Sequence, residues 1–303
     1  MHEAMARVAR RLRTLCLAAI VFAVGMVVRA NINPVALSGE MAGQLRSDAL
    51  PDLGLGWKIT STVDGFSISA LRPGAEIEVA LRPGQAGAWR WRVSRGSLDV
   101  AELWPLARAR LGAAAEGWSA SGRMELAGEG EWSSSAGMRG ELRVALREGW
   151  ARSEALQVEA SAVEFDLRTS EPGLIALPAG QILRLGRVSA GGVEAKNVRV
   201  EFGVTEARRV EVAGAEAEVL GGRVRLRPFA FSPAAPAVSA AAEVAGVSLA
   251  EVAKLLPWAV SAAEGRLRGR VRLDWDASRG FRIADGGLSI ARADGAELRL
   301  APA

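Results

Sequence analysis

The chain has 303 residues, 50% of them hydrophobic and 24% charged, with a formal net charge of +4 and a mean hydropathy of +0.14. That composition excludes a disordered chain, and the length suits about two domains or one elongated array. A single histidine, His2, and a single cysteine, Cys16, exclude a disulfide framework and any Cys/His metal centre, so neither a metal nor a cofactor is expected.

Arginine carries the basic balance, since Lys58, Lys196 and Lys254 are the only lysines among 38 basic residues. The 34 acidic residues are interleaved with them, as in the stretch 141–147, where Glu141, Arg143 and Arg147 share one side of an alternating pattern. This reads as a solvated ionic face, and no nucleic-acid partner is expected.

In chain order, residues 1–13 hold Arg7, Arg10, Arg11 and Arg13, and an uncharged apolar run follows over 15–28. A positive segment before an apolar one keeps the N-terminus in the cytoplasm and sends the rest across the membrane. The run is short for a spanning helix, and Arg29 suits either a retained anchor or the edge of a cleaved signal. Residues 1–30 are therefore expected to be an N-terminal signal-anchor. Asn33-Pro34 then opens a predicted amphipathic helix reaching about Arg46, with Leu37, Met41 and Leu45 on one face.

Strands are predicted over 57–63, 66–71, 75–82 and 88–93, because Ile77, Val79 and Leu81, then Trp89, Trp91 and Val93, alternate with polar neighbours. A short helix follows in the stretch Val100-Ala101-Glu102-Leu103-Trp104-Pro105, and proline is expected to stop it. Further strands are predicted over 141–147, 155–167 (with a bulge near Ser161), 182–187, 193–204, 210–220, 222–231 and 265–275, joined by Gly191-Gly192 and Gly221-Gly222 turns. A second helix, 249–255, is capped by Ser248 with Glu251, with Leu249, Val252, Ala253 and Leu256 as its expected buried face.

The two helical stretches match one another, each preceded by Ser-Leu (Ser97-Leu98, Ser248-Leu249) and each followed by Glu-Gly and an alternating strand. A weak internal repeat, with copies around 88–147 and 240–300, is the reading; chance similarity in an Ala/Arg-rich chain is its rival. In the second copy Leu267, Gly269, Val271, Leu273 and Trp275 fall on one face of a strand, with Arg266, Arg268, Arg270, Arg272 and Asp274 on the other. Two or three short helices cannot roof so many strands. Either the sheet folds over on itself or its apolar face stays open.

The order of Gly221-Gly222-Arg223-Val224-Arg225-Leu226-Arg227-Pro228-Phe229, Val247-Ser248-Leu249-Ala250-Glu251-Val252, the strand 265–273 and Arg282-Ile283-Ala284-Asp285-Gly286-Gly287-Leu288 resembles the YdbH family of AsmA-like (repeating β-groove) bacterial envelope proteins. The resemblance implies a mainly β fold. It would be an elongated, twisted and curled antiparallel sheet (a β-groove or taco) with two or three short helices and an N-terminal transmembrane helix, residues 31–303 forming the periplasmic groove domain. It implies single-pass inner-membrane localisation in a Gram-negative bacterium, with the bulk of the chain in the periplasm. The implied function is bridge-like phospholipid transport between the inner and outer membranes, with phospholipids as ligand and an outer-membrane lipoprotein or other envelope partner. Members continue past the point where this chain stops at Ala303.

The lipid-groove candidates are Met124, Leu126, Trp132, Val224, Leu226, Leu267, Val271, Leu273 and Trp275; for the tryptophans, core packing is the equal alternative. No catalytic residues are assigned and no enzyme is expected, because no Ser/His or Cys/His pair can form, and the neighbours Glu164, Asp166 and Glu171 read as a strand edge and turn. The alternative function is an envelope scaffold or outer-membrane assembly factor without lipid transfer.

Overall fold

A computed structural model describes residues 40–47, 50–62, 64–111, 116–154, 157–170, 176–207, 209–232, 237–255, 260–276, 280–290 and 297–300. The expected signal-anchor over 1–30 and the proline-led start of the predicted helix at 33–39 lie outside these residues. No helix among the described residues is long and apolar enough to cross a membrane.

The described chain is mostly strand. In order the elements are β1 (Glu40–Ser47), β2 (Leu50–Thr62), β3 (Gly65–Arg72), β4 (Ala75–Pro83), β5 (Trp89–Asp99), α1 (Val100–Leu111), β6 (Trp118–Ser133), β7 (Gly137–Ser153), β8 (Val158–Thr169) and β9 (Leu177–Ala190). There follow β10 (Val193–Val204), β11 (Val210–Val219), β12 (Gly222–Leu226), β13 (Phe229–Phe231), β14 (Ala237–Ser248), α2 (Leu249–Leu255), β15 (Val260–Glu264), β16 (Arg266–Asp276), β17 (Gly280–Ile290) and β18 (Glu297–Leu300). Hydrogen bonding runs in sequence order from β1 to β12 and on through β14, β16 and β17, with β13 beside β11; β15 and β18 form a separate pair. The path has two free ends, so this large antiparallel sheet is not closed into a barrel.

Two compact units divide the chain, the first Met1–Gly149 with Phe165–Leu177, the second Trp150–Glu164 with Pro178–Ala303. In the first, alternation is strict: β4 buries Ala75, Ile77, Val79 and Leu81 and turns Glu76, Glu78 and Ala80 the other way. Phe66, Leu81 and Trp91 sit opposite one another on β3, β4 and β5, and Phe66 packs against Trp89 with ring centroids 5.9 Å apart. These residues centre an apolar cluster that reaches Leu126 on β6 and Met138 on β7, with Leu103 of α1 packed against it.

Turns follow glycine chemistry. Gly191 and Gly192, both at positive φ, join β9 to β10, and Leu220 and Gly221 do the same between β11 and β12, as two-residue hairpins require. Near Ser161, where a bulge is expected, Ala162 takes a φ of 49°. In the second unit Gly222, Gly246, Gly269 and Gly286 step diagonally across β12, β14, β16 and β17. Gly269 and Gly286 hold φ of 152° and 122°, and a Cβ on either would run into the backbone of the adjacent strand. Gly246 lies at a register shift between Ala245 and Val247, and such bulges bend the strand that carries them. Arg266 fastens this region, donating to the carbonyls of Gly246 at 3.0 Å and Gly221 at 3.2 Å.

Three expectations need correction. The predicted helix ending near Arg46 is instead strand β1 from Glu40, paired antiparallel with β2 from Glu40↔Thr60 to Ser47↔Leu50. Pro105 does not stop α1, which runs on to Leu111 with the proline exposed inside it. The helix forfeits one backbone bond there. Finally, α2 has no fully buried residue: Leu249, Val252 and Ala253 are half-buried, Leu255 is exposed, and Leu256 lies outside the described residues.

Candidate functional site

Strand alternation builds two unlike faces in the second unit. On β16, Leu267, Gly269, Val271, Leu273 and Trp275 pair across to Val247, Val244, Ala242, Ala240 and Val238 of β14. Beyond β14, Val224 and Leu226 of β12 lie opposite Val244 and Ala242, and Ala217 and Ala215 of β11 lie opposite Val224 and Leu226. One cross-strand row therefore reads Ala215, Leu226, Ala242, Val271, Gly286, and the next reads Ala217, Val224, Val244, Gly269, Leu288. The Leu267–Trp275 row of β16 and the Val224–Leu226 row of β12 are not on adjacent strands. The alanine-rich β14 separates them.

Burial on this face follows position in the sheet, since Ala215, Ala217, Val224, Val238 and Val244 are half-buried. Its floor is fully covered, with Ala240, Ala242, Val247 and Val271 buried and Ala242 at 0% exposure. The large side chains beside that floor, Leu226, Leu267, Leu273 and Trp275, are only half-buried, and Leu288 on β17 is 42% exposed. The same holds for the stacked pair Phe229 and Phe231, whose ring centroids are 6.3 Å apart on β13 beside β11. A packed core would hide its largest apolar groups first. The described residues thus leave a broad apolar face with a covered strip of small residues and half-open residues, large and small, around it.

The opposite face is ionic. Glu243 accepts from Arg227 (Nε at 3.2 Å) and pairs with Arg270 at 3.0 Å, while Glu216 pairs with Arg225 at 3.4 Å. Hydrogen bonding from Arg227 holds the Glu243 carboxyl below its ordinary value. Asp274 accepts from Ser239 at 2.7 Å and from Arg282 at 3.1 Å, and is lowered for the same kind of reason, Ser239 first. In the first unit Arg143 grips Asp166 through Nε at 2.7 Å and through its other guanidinium arm, which lowers the Asp166 carboxyl. Asp166 is thus engaged in a bidentate ion pair. Exposed pairs of this kind keep a sheet face wetted and contribute little each.

Among the sequence candidates, Val224, Leu226, Leu267, Val271, Leu273 and Trp275 come together on the one face of the second unit. Met124, Leu126 and Trp132 lie in the first unit, where Leu126 belongs to the apolar cluster and Met124 and Trp132 pack against it. There Met124 pairs with Leu98 and Trp132 with Trp89. The alternation pattern missed Ala240, Ala242 and Val244, because the run Ala237–Ser248 is too rich in alanine for its two faces to contrast in hydropathy. It also passed over Phe66, which anchors the first unit at 2% exposure.

These features define a class: a large antiparallel sheet, not closed into a barrel, that in its second unit is apolar on one face and ionic on the other. The model of the YdbH-like family, described as intermembrane phospholipid transport protein YdbH, matches residues 81–301, and the chain belongs to that family. No curated protein and no solved structure matches it.

Proposed function

We propose that this protein binds phospholipids by their acyl chains on the apolar face of β11, β12, β14 and β16, and takes part in moving them between the inner and outer membranes. It would act from an inner-membrane anchor, with most of the chain in the periplasm. The observation that carries this reading is the partial exposure of that face, where Leu226, Leu267, Leu273 and Trp275, with Val224 and Val244, are half-open around a covered strip on β14 and β16. Family membership supports phospholipid as the cargo. An acyl chain laid along the face supplies the missing second layer, and each methylene it removes from water contributes about 0.8 kcal/mol. Affinity of that origin is indifferent to the headgroup.

The test is photocrosslinking of radiolabelled phospholipid to positions 267, 271 and 273, compared with the outward positions 268 and 272. Labelling is expected on the first set alone. Equal labelling of both faces, or none on either, would refute the reading and leave an envelope scaffold without lipid transfer. Leu273→Asp provides a second check. Half-buried, the new carboxylate is solvated when the face is empty and trapped under lipid when it is occupied. It should therefore lower lipid occupancy far more than it lowers the melting temperature.

A further inference from the structure

Trp91 is 1% exposed, and its indole Nε1 is a buried side-chain donor with no hydrogen-bond partner. Two other tryptophans show the ordinary arrangement, Trp104 donating to the Trp118 carbonyl at 2.8 Å and Trp150 to Glu159 at 3.2 Å. Trp91 sits in the row Leu81, Trp91, Gly130, within the apolar cluster of the first unit, and the buried polar side chains among the described residues, Ser153 and Gln181, belong to the second unit. A buried unpaired N–H is costly, whereas phenylalanine would supply aromatic packing there without that cost.

Resting on the lipid-binding reading above, we infer that Trp91 Nε1 is the hydrogen-bond donor to an ester carbonyl of a diacyl phospholipid whose chain enters the apolar cluster of the first unit. The surroundings select this acceptor. With no charged side chain in the cluster, a phosphate or carboxylate would be stranded there, while an ester carbonyl is a neutral acceptor attached directly to acyl chains. The partly buried Trp89 and Trp132, paired on the same face of β5 and β6, are the side chains that part to admit the chain. The donor is shut off until the lipid arrives. The site thus reads the linkage of the lipid, which the open face of the second unit cannot do.

The experiment presents the full-length protein in detergent with an equimolar mixture of a diester phospholipid and its diether analogue, identical in headgroup and chain length, and measures the retained ratio by mass spectrometry. The wild-type chain should retain the diester about two- to tenfold over the diether, the effect of one hydrogen bond to an otherwise unpaired donor. Replacement of Trp91 by its sulfur isostere benzothienylalanine should bring that ratio to one without lowering the melting temperature, and Trp91→Phe should do the same to the ratio at a cost in packing. In a proton–nitrogen correlation spectrum the Trp91 indole resonance, assigned by its loss in Trp91→Phe, should move downfield with the diester and stay in place with the diether. A wild-type ratio of one, or a ratio unchanged in both variants, overturns the assignment of Trp91 and leaves lipid binding standing. Retention of neither lipid overturns both.

Discussion

Gly269 and Gly286 are the residues at which a side chain is least admissible. Each combines a left-handed φ with neighbouring backbone where a Cβ would go, whereas a Cβ on Gly287 would meet nothing within 4 Å. Gly269→Ala and Gly286→Ala should each cost at least about 1–3 kcal/mol in chemical denaturation, the range for a backbone forced into a disfavoured region. Gly287→Ala, one residue away, should stay within about 0.5 kcal/mol. Equal costs at 286 and 287 would mean that the close approach of β16 to β17 at Gly286 does not depend on the missing side chain. Acid sensitivity also belongs to single residues. Asp166 has its carboxyl lowered from an ordinary 3.8 chiefly by the Arg143 hydrogen bonds, so its contribution is fully present above that value and is lost as pH falls through the lower folded one. Melting temperature should therefore decline below about pH 4. Asp166→Asn should flatten that decline while leaving the slope between pH 6 and 8 unchanged.

Among the elements, the two helices differ in how firmly they are capped. Asp99 accepts from the backbone N–H of Ala101 at 2.9 Å and of Glu102 at 3.4 Å, where Ser248 accepts only from Glu251 at 3.4 Å. The reciprocal half of the box is missing at α2, since Ser248 N–H donates to the Leu220 carbonyl and Glu251 pairs with Lys254. Asp99→Ala should cost about 1 kcal/mol and Ser248→Ala about 0.5; the reverse order in denaturant midpoints would show that cap geometry does not set helix stability here. Strands such as β4 and β16 were legible because large apolar and charged residues alternate without interruption. Strand β1 was not. Leu37, Met41 and Leu45 are spaced by four, and residues four apart share a face in a strand as well as in a helix, so that spacing carries no information about which forms. Pro105 misled differently, since proline forfeits one bond and kinks a helix without always ending it. The candidate face was half legible: its leucines and valines stood out against arginine, but the alanine floor of β14 that joins the two rows had no contrast to reveal it.

For the whole molecule, the charge pattern of the first 30 residues and the membership in an intermembrane transport family lead to one expectation of topology. Protease added to spheroplasts should degrade the segment 178–303; protection of that segment while the membrane is intact would place it on the cytoplasmic side. The sheet order has a further consequence, in time rather than space. From β1 to β7 each strand bonds to the one made just before it, so contacts are local in sequence and the entropy of closing long loops is largely avoided. A chain emerging from its N-terminus finds each template already laid down, and growth needs no strand from the far end. Strands β3 to β6 should become protease-resistant on arrested nascent chains before residue 178 has been synthesised. The same vectorial growth leaves the newest strand bare on its outer edge at every moment of synthesis, an invitation to mispairing with other chains. Slow elongation should therefore be more hazardous to this protein than slow termination.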